Sequence, residues 1–464
     1  MALGRRNEDR QGELWVATPD LPVSPGHAFY EKLNQMLAEA GFDEWAEALC
    51  EPYYATSGRP GIPPGVYFRM LLVGYFEGIG AQRGIAWRCS DSLSLRKFLG
   101  MAPTEDTPVH ASLSVIRERL PIEVHYSVFQ WVLKLALEKK LLDGKTLGID
   151  STTLEANAAM KSIVRRDTEE DWREYVTNLM QTEGIIDDDE EPPIDQIRKF
   201  DRKRPNKKIS NEQWKSPTDE DSRIAKMKDG TTHLAYKAEH AVDLKTELIV
   251  AAEIYHADCP DVRTLEDTAQ MAQTNLWESG SDVDIQDVVA DKGYHSAAGL
   301  ADLAEHTPYR TYVAEQTPPV GQKRVWTDRP PAHRDATYAN RRRIRGERGR
   351  RLQRLRSEKV ERSFAHVCET GGARRTWLRG IENVAKRYLI SAMAHNLGCL
   401  MRSLFGMGTP RGLQQYVDLP AELLCALQLA QNVTLCLLAS IWSRPAFRDA
   451  LFVHGRATAA EAAA

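Results

Sequence analysis

Two apolar-rich, strand-like runs, THLAYKAEHAVD (232–243) and ELIVAAEIYHA (247–257), meet across the short polar stretch DLKTE. A link that short can join only antiparallel neighbours, because a parallel partner needs a crossover of a dozen residues or more. Downstream the rhythm changes. DVRTLEDTAQMAQTNLW has the spacing of an amphipathic helix, DIQDVVAD reads as a strand, SAAGLADLAEH as a helix and PYRTYVAE as a strand. Strands that first pair as a hairpin and then alternate with helices imply a mixed α/β sheet.

The 464 residues allow two or three domains. Residues 1–25 read as a flexible N-terminus and 26–140 as a series of helices, one of them from about Pro64 to Phe76, with Ser90 and Thr107 as N-caps. Arg83, Arg88, Arg96, Lys97, Arg117 and Arg119 among these helices fit a helix-turn-helix type DNA-binding module, or a plain bundle with solvated basic residues. The α/β domain is expected over 141–405. A charged insertion at about 157–230 interrupts it, helical or partly disordered, with an acidic run from Asp187 to Glu191 that reads as a solvated face. Residues 406–464 are expected to form a helical extension. Its apolar stretch from Ala421 to Trp442 carries Glu422, Gln428, Gln431 and Asn432, which suits a packed helix and not a membrane span. Seven scattered cysteines without a CxxC pair argue against a zinc ribbon and a secreted disulfide framework, and the polar first residues lack a signal-peptide core. A cytoplasmic protein is expected.

Two carboxylates share a context. In LLDGKTLGIDSTTLEANAA, Leu147 to Ile149 read as a strand that Asp150 ends; in VVADKGYHS, Asp291 follows the apolar Val288 and Val289. Two such groups on neighbouring strands can share a divalent cation, which offsets their repulsion. Glu361 in SEKVERSFAHV is the candidate third ligand, beside the helical stripe Val360, Phe364 and Val367, with Glu358 one turn earlier as the fallback. Oxygen-only ligands suit Mg²⁺ or Mn²⁺. Such ions can drive in-line phosphodiester displacement by activating a water or a 3′-hydroxyl and stabilising the leaving oxygen.

Residues 321–356 hold thirteen Lys or Arg against three Asp or Glu, although the whole chain has a net charge of only -4. Arg341, Arg342, Arg343, Arg345, Arg348, Arg350, Arg351, Arg354 and Arg356 would hold a DNA backbone near the carboxylates. Each element has a plain alternative: a strand-end Asp as turn residue or helix cap, a lone Glu as a solvated side chain, the arginines as a disordered basic arm, with helices resuming near Ser357.

The order strand–Asp, strand–Asp, Arg-rich segment, helix–Glu resembles that of the DDE transposases of bacterial insertion sequences, in particular the IS5 and IS1182 groups. GRPGIPPGVYFRMLLVGYFEGIG, RKFLGM and TPVHASLSVIRERL are similar to their N-terminal domain. LGIDSTTLEANAA, GTTHLAYKAEHAVD and VVADKGYHS are similar to their catalytic core, and VERSFAHV with GGARRTWLRGIENVAKRYLISAMAHNL to the segment bearing the catalytic Glu. The resemblance spans roughly residues 25–410. It implies a ribonuclease-H-like core with Asp150, Asp291 and Glu361 as catalytic metal ligands. It also implies binding of element ends and target DNA, a homodimer on that DNA, and a place at the nucleoid with no membrane involvement. Some relatives carry Arg four before and Lys seven after the Glu, where this chain has Ser357 and Cys368. Arg354, Arg356, Arg362, Arg374 and Arg375 are the candidates to bind phosphate in their place, and Lys292 and His295 either touch phosphate or form the turn. A related nuclease without strand transfer and a catalytically inert DNA-binding derivative are the alternatives.

Overall fold

Among the residues described, seven α-helices come before the first strand of the sheet: α1 (Ala28–Glu39), α2 (Phe42–Cys50), α3 (Pro64–Glu77), α4 (Gln82–Ser90), α5 (Leu93–Phe98), α6 (His110–Arg119) and α7 (Ile122–Glu138). The computed structural model describes residue 17 and residues 27–411, apart from 59, 188–190, 206–208, 228–229, 317–325 and 328. The chain divides into two compact units, Met1–Pro410 and Arg411–Ala464. The apolar stretch expected as a C-terminal helix lies outside the described residues.

α3 is buried along almost its whole length, as its near-continuous apolar sequence requires. Its one internal cation, Arg69, is satisfied by Asp43, Asn34 and the Phe98 carbonyl. The expected caps are displaced. Ser92 caps α5, accepting from Leu95 N–H in the extended conformation that a cap needs, while Ser90 is still inside α4 and donates to the Trp87 carbonyl. Thr107 is followed by Pro108, which keeps the preceding residue out of the helical region, so α6 begins only at His110 and has no side-chain cap.

β1 (Thr146–Glu155) is followed by an insertion with a two-stranded sheet, β2 (Val164–Arg165) and β3 (Trp214–Lys215), and two helices, α8 (Trp172–Thr182) and α9 (Ile194–Lys203). The insertion has a hydrophobic cluster of its own. Val176, Met180, Ile186 and Ile197 are buried against Trp172, Tyr175 and Phe200. A capping box between Asp171 and Glu174 starts α8. The described part of this segment is therefore folded, and most of its acidic run lies outside the described residues.

The main sheet then adds β4 (Arg223–Lys226), β5 (Thr232–Asp243), β6 (Ile249–His256), β7 (Asp287–Ala290) and β8 (Arg310–Val313). β5 pairs antiparallel with β1 on one side and with β4 and then β6 on the other; β1, β7 and β8 run parallel. This is the mixed sheet of a ribonuclease-H-like core. The helices between and after these strands are α10 (Asp261–Glu278), α11 (Ala297–His306), α12 (Pro331–Arg345), α13 (Glu347–Phe364), which continues as a π-helical turn over Ala365–Thr370, and α14 (Ile381–Phe405). α14 packs against β6 and against α3 and α7, tying the N-terminal helices to the sheet.

Two boundaries differ from the sequence reading. β1 does not end at Asp150 but runs on to Glu155, because β5 continues to offer partners; only the pairing with β7 stops, at Ile149 and Ala290. The Arg-rich stretch is not a loose arm. It forms α12 and the first half of α13, whose buried Leu352 and Val360 anchor it.

Each of the three edge strands is closed by one asparagine. Asn211 pairs both the N–H and the C=O of Ile224 in β4, Asn396 those of Ile249 in β6, and Asn340 those of Val313 in β8. A carboxamide presents a donor and an acceptor side by side, as a neighbouring strand would. Asn340 is fully buried. We expect Asn340→Ala to lower the unfolding free energy by about 2–4 kcal/mol, since two buried backbone groups lose their partners. Asn211→Ala, at a more exposed position, should cost less. Urea titration measures both, and an unchanged midpoint for Asn340→Ala would remove the edge-closing role.

Candidate active site

The parallel pairing of β1 with β7 sets Ile149 beside Ala290, so that Asp150 and Asp291 are the next residues on neighbouring chains. The Asp291 carboxylate accepts from Gly293 N–H at 2.7 Å and caps the short 3-10 turn Lys292–Tyr294. Asp150 accepts from Ser151 N–H at 2.8 Å through Oδ1 and from an Arg356 guanidinium N–H at 2.6 Å through Oδ2. Burial raises the Asp150 pKa; Arg356 and the Ser151 N–H oppose the rise, and the charge of Asp291 adds to it. A carboxylate in this setting favours a nearby cation.

Arg356 reaches Asp150 because α13 crosses directly over β1. Gly148 permits the close approach: a β carbon there would lie 2.7 Å from Leu244, 3.0 Å from Val360 and 3.1 Å from Arg356. Glu361 stands elsewhere on the helix. Five residues beyond Arg356, at about 100° per residue, it is rotated by roughly 140° from the guanidinium, and its side chain is exposed. Glu358 is exposed too and accepts from Arg362 at 2.6 Å. The structure thus brings Asp150 and Asp291 together with Arg356, while Glu361 is exposed on a different stripe of α13. Among the described residues, no three His, Cys, Asp or Glu side chains converge closely enough to hold a metal ion.

The basic residues split into two groups. Arg341 pairs with Glu315, Arg348 with Asp287, Arg362 with Glu247 and Glu358, and Arg374 with Glu369; Arg343 donates to Thr311, and Arg375 lies 3.8 Å from Glu155. Their side chains are used inside the fold. Arg342, Arg345, Arg350, Arg351 and Arg354 are exposed and have no side-chain partner among the described residues. Arg350, Arg354, Ser357 and Glu361 follow one another at spacings of four, three and four, which places them on one stripe of α13. Lys292 is exposed in the turn after Asp291, and His295 is half-buried there.

A second polar cluster was missed by the motif reading. Lys237 and Glu239, buried on β5, and the half-buried Asp261 at the start of α10 form a charged network that reaches Ser151, the residue after Asp150. Its signal was in plain view. Lys237 and Glu239 are two charges on the same face of a largely buried strand, where a charge survives burial only with a partner.

Residues 21–119 match the model of a family described as transposase domain (DUF772), and residues 200–397 match that of the transposase DDE domain. The chain belongs to the DDE transposase family. No curated protein and no solved structure matches it. The transposase DDE match covers Asp291 and Glu361 and begins after Asp150, which the sheet sets beside Asp291. Transposases of this family generally use a divalent metal. The donor chemistry here fits a hard cation: carboxylate oxygens, no sulfur, and a half-buried Asp150 whose charge is balanced by Arg356. Arg356→Met keeps the aliphatic packing over Gly148 and removes that balance. In EDTA the variant should unfold about 1.5–3 kcal/mol more easily, the usual worth of a hydrogen bond to a charged group. Equal stability in a urea titration would mean that the pair contributes nothing in solution.

Proposed function

We propose that this transposase binds the ends of its own mobile element and cuts and joins DNA strands there, with Asp150, Asp291 and Glu361 as ligands of Mg²⁺ or Mn²⁺. The observation that carries the reading is the placement of Asp150 and Asp291 at adjoining positions of two parallel strands in a ribonuclease-H-like sheet. When bound, the metal supplies an activated oxygen nucleophile and stabilises the leaving oxygen of an in-line displacement. The chain's own residues hold the rest in place. Backbone N–H groups of Ser151 and Gly293 fix the carboxylates of Asp150 and Asp291. Arg350 and Arg354 share the exposed stripe with Glu361, which suits them to hold a phosphate backbone on the side from which that carboxylate works. Arg342, Arg345 and Arg351 extend the same basic surface. The helical region matched as a transposase domain recognises the terminal repeats, and the protein works as a homodimer on DNA in the cytoplasm. Among the described residues no helix is long and apolar enough to cross a membrane.

Asp291→Ala should bind end DNA as wild type does and neither nick nor join strands in Mg²⁺. Asp150→Ala and Glu361→Ala should behave alike, because groups that act as a unit do not lose activity additively. Glu358→Ala is the control. If it is dead while Glu361→Ala is active, the third ligand lies one helical turn earlier; near-normal strand transfer in all three principal variants sinks the reading.

DNA affinity divides the arginines further. Replacing Arg342, Arg345, Arg350, Arg351 and Arg354 by Gln should weaken binding to every sequence and flatten its salt dependence by roughly one unit of log–log slope per lost contact. Replacing Arg341 and Arg343, which are spent on Glu315 and Thr311, should leave that slope unchanged. Filter binding from 50 to 200 mM salt, roughly the range over which such contacts respond, reads both.

A further inference from the structure

We infer that Asp261, held by Lys237, is a positioning residue that sets the separation and orientation of Asp150 and Asp291. Asp261 is the first residue of α10, and one of its oxygens meets two groups at once. Its Oδ1 is 2.7 Å from Lys237 Nζ and accepts from the Ser151 hydroxyl at 3.1 Å. Ser151 is the residue immediately after Asp150. The Asp261 Oδ2 lies against Gly293, where a β carbon would be only 2.7 Å away, and Gly293 donates the backbone N–H that holds Asp291. A single carboxylate therefore bears on the chain next to each aspartate.

The other members of the network reach the same two segments. Lys237 Nζ donates to Thr264 at 2.8 Å and lies 3.2 Å from Glu239. Glu239 Oε2 accepts from Thr264 at 2.7 Å and from the Tyr294 hydroxyl at 3.0 Å. Tyr294 is buried and closes the turn that Asp291 caps. Four pieces of the fold (β1, β5, the start of α10 and the turn after β7) are thus joined through one lysine and two carboxylates.

Stability alone does not account for such a cluster. A buried ion pair recovers little or none of its desolvation cost, and apolar residues of the same volume often do as well or better. What a charged network adds is direction, since each hydrogen bond fixes an atom and not merely a volume. Here the fixed atoms belong to the residues beside Asp150 and Asp291. Groups that orient metal ligands in this way commonly change metal affinity by about 10–100-fold when removed.

The inference rests on the reading of Asp150 and Asp291 as metal ligands, and the test separates the two. Mn²⁺ binding to the full-length protein is measured by isothermal titration and by the electron paramagnetic resonance signal of free Mn²⁺. Asp261→Asn keeps an oxygen for Ser151 and leaves Lys237 paired with Glu239. Ser151→Ala cuts only the link to β1, and decides the matter if Asp261→Asn fails to fold. Each folded variant should bind Mn²⁺ about 10–100-fold more weakly than wild type, with Asp261→Glu recovering part of the loss. A purely structural role would lower the melting temperature and leave Mn²⁺ affinity at the wild-type value, and that result overturns the inference. A loss as complete as that of Asp291→Ala would overturn it too, making Asp261 a ligand itself. If Asp291→Ala binds Mn²⁺ like wild type, the metal reading beneath the inference has failed.

Discussion

The site depends on the hydrogen bonds that hold β1 between β5 and β7. From Leu147 to Ile149 the strand is paired on both edges, antiparallel to β5 and parallel to β7. The parallel side matters most. Because β1 and β7 run the same way, the residues that follow their common stretch emerge at the same end of the sheet, and both are aspartates. An antiparallel pairing would have put the two carboxylates at opposite ends. Without a side chain at Gly148, α13 can lie directly on this central strand and bring Arg356 to Asp150.

Successive residues of a strand face opposite sides of its sheet, and here each side does separate electrostatic work. Asp150 faces α13 and finds Arg356. Ser151 faces α10 and finds Asp261, which in turn holds Lys237. His240, opposite Asp150 in register, also faces α13, where it is hydrogen-bonded to Ser363 and Tyr388 and stacked on Phe364. Burial keeps its pKa far below the usual histidine range, so it acts as a neutral pin between β5, α13 and α14. α13 is therefore fixed at both ends of its crossing, by an ion pair over β1 and by an uncharged hydrogen-bond chain over β5.

Local pattern carried much of this and long-range packing the rest. The hairpin of β5 and β6 was legible from its short connection, and the strand before Asp291 from its apolar run and turn. The continuation of β1 past Asp150 was hidden because Ser151, Thr152 and Thr153 read as polar turn residues. Yet Thr152 and Leu154 are buried in strand alternation, and a β-branched threonine suits that position. The helicity of the arginine stretch was masked by its charge, since its few apolar anchors are spaced a turn or two apart. The exposed direction of Glu361 depends on how α13 rolls over Gly148, which no local spacing encodes. The attachment of the N-terminal helices to α14, residues far apart in the chain, was likewise out of reach of periodicity.

The asparagines on β4, β6 and β8 have a consequence for how copies of this chain can meet. An open strand edge is a template on which any passing extended segment can grow the sheet, the usual route to strand exchange and fibrillar association. At Ile224, Ile249 and Val313 the backbone donor and acceptor are already taken by a side-chain amide that cannot itself be extended. Association through those positions cannot continue the ladder unless the asparagine is first displaced.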